Sequence, residues 1–80
     1  MHEVVVYSRG GCHLCDVVKE TLKHAQGKVD FVWREVDIDS DARLGQEYND
    51  QIPVVFIDGR KAFKYHMNED HFLRMLAESG

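Results

Sequence analysis

The chain has 80 residues, a formal net charge of −4 and an apolar share of 44%. That describes one small domain, residues 1–80, of ordinary globular composition, and argues against a nucleic-acid or membrane-surface binder, which would need clustered Lys and Arg. No apolar run approaches the roughly 20 residues that span a bilayer, and Met1-His2-Glu3 leads into apolar sequence without a signal-peptide pattern, so a cytoplasmic protein is expected.

The first predicted element is a buried strand, Glu3 to Tyr7, rich in valine. It ends at the turn sequence Ser8-Arg9-Gly10-Gly11. From Cys12 the period changes to that of a helix. Leu14, Val17, Val18, Thr21, Leu22 and Ala25 form its apolar side, and Gly27 marks its stop. Val29 to Asp37 reads as a second strand, with Arg34 and Glu35 placing it at a sheet edge. Asp39 or Ser40 is the expected cap of a short helix through Tyr48. Ile52-Pro53 leads into a third strand, Val54 to Ile57. Asp58-Gly59 is a hairpin turn, and Arg60 to Tyr65 is the returning strand, its Arg60, Lys61 and Lys64 solvated. Asn68 caps a last helix whose buried side is Phe72, Leu73 and Leu76. The order βαβαββα predicts an α/β fold, a four-stranded mixed sheet flanked by helices on both faces.

Cys12 and Cys15 stand three apart at the start of the first helix. At that spacing the thiols can face each other and close a disulfide. The free N–H groups of the helix start favour a thiolate at Cys12, which acts as nucleophile, with Cys15 as resolving thiol. His13 adds positive charge when protonated, or is merely solvent-facing. Arg9 stabilises the thiolate, holds a substrate carboxylate, or is a surface residue of the loop. A zinc site would need two further ligands; His66 and His71 have near-acceptable spacing but lie far from Cys15 in sequence. No metal ligands are assigned. A metal- or iron–sulfur-binding module, or a binding module with idle thiols, stands as the alternative function.

The run Tyr7-Ser8-Arg9-Gly10-Gly11-Cys12-His13-Leu14-Cys15 resembles the active-site segment of glutaredoxin-like proteins of the thioredoxin superfamily. Val36-Asp37-Ile38-Asp39 and Ile52-Pro53-Val54-Val55-Phe56-Ile57-Asp58-Gly59 resemble that family's second and third strands. The resemblance implies a thioredoxin-like fold and a disulfide oxidoreductase working in electron transport through a redox-active dithiol. It implies a cis Ile52-Pro53 bond beside Cys12, with the Ile52 backbone pairing an extended substrate and Arg9 helping to bind the carboxylate of glutathione. The implied partners are disulfide-containing or glutathionylated proteins, with glutathione as co-substrate or thioredoxin reductase as electron source. No bound cofactor is expected, and the protein is expected to be a monomer. The stretch Lys64 to Asp70 has no glycine where the family usually carries a Gly-Gly pair, so glutathione is expected to be a weak reductant.

Overall fold

A computed structural model describes residues 1–79. Seven main elements follow in the predicted order: β1 (His2–Ser8), α1 (His13–Gln26), β2 (Phe31–Asp37), α2 (Ala42–Tyr48), β3 (Val54–Ile57), β4 (Arg60–Lys64) and α3 (Glu69–Ser79). The sheet order is β2-β1-β3-β4, with β1 parallel to β2 and antiparallel to β3, and β3 antiparallel to β4. β2 is an edge strand, as its charges predict.

Strand alternation assigns the two faces. Val4 and Val6 of β1 and Val55 and Ile57 of β3 join Val18, Leu22 and Ala25 of α1 and Phe72 and Leu76 of α3 in the main core. On the opposite face Tyr7 stacks on Tyr48 of α2 with ring centroids 4.8 Å apart, and Phe56 meets Tyr7 edge-on at 5.4 Å. At the β3–β4 hairpin Asp58 and Gly59 both have positive φ, 51° and 84°, as the hairpin turn requires. Asp58 also accepts from the Glu3 N–H at 2.9 Å, tying that turn to the start of β1. Asn68 caps α3 as expected, its side chain accepting from the His71 N–H at 2.9 Å.

The start of β2, the cap of α2, the end of β4 and the buried face of α1 differ from expectation, each for a local reason. β2 starts at Phe31, because the Lys28 and Val29 N–H groups both donate to the Ala25 carbonyl and hold Val29 in the turn after α1. The cap of α2 is Asp41, which accepts from the Arg43 N–H at 2.8 Å. Asp39 and Ser40 lie instead in a 3₁₀ turn, Ile38–Ser40, capped by Asp37. β4 ends at Lys64, because Tyr65 turns the chain at positive φ. The buried stripe of α1 is Cys15, Val18, Leu22 and Ala25. Leu14 and Val17 sit one residue's rotation away, about 100° round the helix, and are exposed.

Candidate redox site

The C-terminal ends of β1, β2 and β4 and the N-terminal end of β3 meet at one end of the sheet, since Ser8 pairs Asp37, Tyr7 pairs Val54 and Val54 pairs Lys64. The loop from Arg9 to Cys12 leaves β1 there. Gly11, at φ 78°, supplies the left-handed step that turns the chain into α1. The Cys12 N–H donates to the Arg9 carbonyl at 3.3 Å.

Cys12 is the N-cap of α1. Its Sγ accepts from the Cys15 N–H at 3.2 Å, the bond that a capping oxygen usually makes to the third helical residue. The cysteines are joined as a disulfide, with Cα atoms 5.2 Å apart. Cys12 is half-buried, whereas Cys15 is 0% exposed. Of the two residues only Cys12 reaches the surface, so an incoming group meets Cys12 and not Cys15. Once the disulfide is reduced, the Cys12 sulfur keeps the helix N–H groups as neighbours, an arrangement that stabilises a thiolate. Alkylation of the reduced protein by iodoacetamide should titrate with a midpoint below the roughly 8.5 of a free thiol. A midpoint at or above that value would show that the helix start does not activate Cys12.

His13 is the exposed first residue of α1. Arg9 is engaged by the chain itself: its Nε donates to both carboxylate oxygens of Asp39, at 3.1 and 3.0 Å. Arg9 thereby pins the loop before Cys12 to the 3₁₀ turn that follows β2. Ile52 and the buried Pro53 directly precede β3 at this same end of the sheet, and their peptide bond is cis. His66 and His71 do not assemble with the cysteines: among the described residues no three His, Cys, Asp or Glu side chains form a set able to hold a metal ion.

Sequence reading missed a polar cluster beneath the site. Ser8 is 1% exposed, and its hydroxyl donates a short hydrogen bond to Glu35. Lys19 of α1 bridges Glu35 at 3.0 Å and Asp16 at 3.3 Å. Lys19 lies four residues after Cys15, so the cluster runs alongside the buried thiol position. The available signal was Ser8 itself, which continues the inward alternation of Val4 and Val6. The Ser8 hydroxyl first, and Lys19 after it, hold the Glu35 carboxyl below the usual carboxylate range. A lowered folded-state pKa gives stability that is present above the unfolded value and is lost as pH falls through the folded one. In an acid titration followed by circular dichroism, Glu35→Gln should therefore lose less stability below about pH 4.5 than the wild type. Parallel acid limbs would show that Glu35 contributes nothing there.

A family model described as "Glutaredoxin-like domain (DUF836)" matches residues 3–77. An uncharacterized protein of Mycobacterium tuberculosis is 29% identical over 82 residues, covering 96% of this chain and 84% of that one. The solution structure of a protein from Nitrosomonas europaea is 32% identical with a TM-score of 0.80, covering 92% of this chain and 89% of the other. The oxidized form of mitochondrial thioredoxin 3 from Saccharomyces cerevisiae superposes with a TM-score of 0.69 over 96% of this chain and 77% of that one, at 15% identity. Likeness at that identity shows the fold alone, which is thioredoxin-like.

Proposed function

Because this chain belongs to the family of the glutaredoxin-like domain (DUF836), we propose that it is a thiol–disulfide oxidoreductase that reduces protein or low-molecular-weight disulfides through its Cys12–Cys15 pair. The observation that carries the reading is the unequal burial of two bonded cysteines at a helix start. In the reduced form the Cys12 thiolate attacks one sulfur of a substrate disulfide. A Cys12–substrate disulfide forms, and the other substrate sulfur leaves as a thiolate that takes up a proton. Cys15 then loses its proton and attacks the Cys12 sulfur. The Cys12–Cys15 bond closes, and the second substrate sulfur departs as a thiol. Two electrons pass from the dithiol to the substrate, and an external thiol reductant returns them.

The helix position of Cys12 supports this assignment, and the presence of Ile52 and Pro53 at the same sheet end supports their contact with substrate. Arg9, already paired with Asp39, acts first on the loop and only secondarily on a substrate carboxylate. The reductant is proposed to be glutathione or a thioredoxin reductase, with glutathione the weaker. Tyr65, His66 and Met67 supply side chains where close backbone approach to a tripeptide would be needed. The proposed setting is a cytoplasmic monomer acting in electron transport. No described helix is long and apolar enough to cross a membrane.

The test is turnover of a protein disulfide coupled in parallel to glutathione with glutathione reductase, and to thioredoxin reductase. The reading expects reduction of the substrate, slow in the glutathione arm. Absence of exchange in either arm, and with dithiothreitol as reductant, would overturn it.

A further inference from the structure

Tyr65 follows β4 at the Cys12 end of the sheet, in a conformation that its side chain should resist. Its φ is 70°. A bulky residue at positive φ is an outlier, and glycine would adopt this backbone without steric cost. The His66 N–H donates to the Lys64 carbonyl at 2.8 Å, so the chain makes a γ-turn centred on Tyr65, a rare and strained turn. Such strain persists only where surrounding contacts over-determine it, and it concentrates at functional sites.

The contacts that hold Tyr65 point to one segment. Its backbone N–H donates to the Pro53 carbonyl at 2.8 Å. Its hydroxyl donates to the Asp50 carbonyl at 2.7 Å. One residue thus grips both ends of Asp50–Pro53, the stretch that delivers Ile52 and Pro53 to the site. The Lys64 ammonium, 5.4 Å from the ring centroid, steadies the ring further.

We propose that Tyr65 is a positioning residue that clamps Asp50–Pro53 and so sets the site's preference for peptide disulfides over small ones. The proposal rests on the redox reading above. A peptide disulfide must lie across several residues around the reacting sulfur, and ordering a loose segment at that moment costs affinity. A small disulfide touches little beyond the Cys12 sulfur and does not depend on the segment. The clamp lowers the ordering cost for the large substrate only.

The experiment compares pre-reduced wild type with Tyr65→Phe and Tyr65→Gly in single turnovers. Each is mixed with two mixed disulfides of thionitrobenzoate, one with an extended cysteine-containing peptide and one with 2-mercaptoethanol. Reduction of either consumes the dithiol, closes Cys12–Cys15 and frees both substrate thiols, so coloured thionitrobenzoate reads both reactions. Tyr65→Phe, which lacks only the hydroxyl bond to Asp50, should slow the peptide substrate about two- to tenfold, the worth of one hydrogen bond. It should slow the small substrate by a smaller factor. Tyr65→Gly, which relieves the turn but removes the ring, should lose at least as much on the peptide. Equal losses on the two substrates, or no loss on the peptide, would overturn the clamp alone. A wild type inert toward both would overturn the redox reading and the clamp with it.

Discussion

Cys12→Ser should abolish disulfide exchange, and Cys15→Ser should still attack substrate and then stall as a mixed disulfide. The difference follows from burial and helix position. Cys12 is the N-cap, partly open to solvent, and its sulfur receives the Cys15 N–H. A serine hydroxyl can make the same cap, so Cys12→Ser should fold normally while lacking a nucleophile. Cys15 is fully buried and close enough to Cys12 to be bonded to it. It meets an intermediate sulfur on Cys12 but no outside disulfide. Without it the first step proceeds and the second has no internal thiol. Intact mass spectrometry of Cys15→Ser after exposure to a disulfide peptide should show the protein plus one peptide, removable by dithiothreitol. An active Cys12→Ser with an inert Cys15→Ser would reverse the roles.

Phe72→Ala should have the largest effect on stability. Phe72 is 0% exposed. Its ring meets Phe31 edge-on at 5.2 Å and lies 6.4 Å from Phe63, so it joins α3 to both edge strands of the sheet. Truncating a buried phenylalanine costs about 3–5 kcal/mol from lost transfer and cavity terms. A domain of this length has roughly 4–12 kcal/mol in total. The variant should therefore melt well below the wild type or be unfolded at room temperature. Val32→Ala on the exposed side of β2 serves as the control, since Val32 is 49% exposed and surface changes usually stay within about 0.5 kcal/mol. Similar denaturation midpoints for Phe72→Ala and wild type would show that α3 is not part of the cooperative core.

The element order was legible because each segment carries its own period. The valines of β1 and β3 alternate or run together as strands do, and Asp58-Gly59 admits little but a hairpin. Cys12 and Cys15 were legible for the same reason: their spacing and their place after a strand are local facts. Element ends were less so, because capping is a competition among neighbours. Asp37, Asp39, Ser40 and Asp41 are all competent caps, and only the observed hydrogen bonds decide that Asp37 and Asp41 win.

Contacts between distant segments belong to the tertiary structure alone. Arg9 and Asp39 are thirty residues apart, and only the parallel pairing of β1 with β2 brings their loops to one end of the sheet. The same pairing places Glu35 within reach of Ser8 and Lys19. Tyr65 reads in sequence as the last residue of a strand. Its left-handed turn arises because the Asp50 and Pro53 carbonyls lie where its hydroxyl and N–H can reach them. Sequence by itself determined the dithiol and the order of elements, since both depend on residues near one another in the chain. The partners of the charged and aromatic side chains around the dithiol were decided by the fold, because a side chain's partner is set by which backbone the sheet brings beside it.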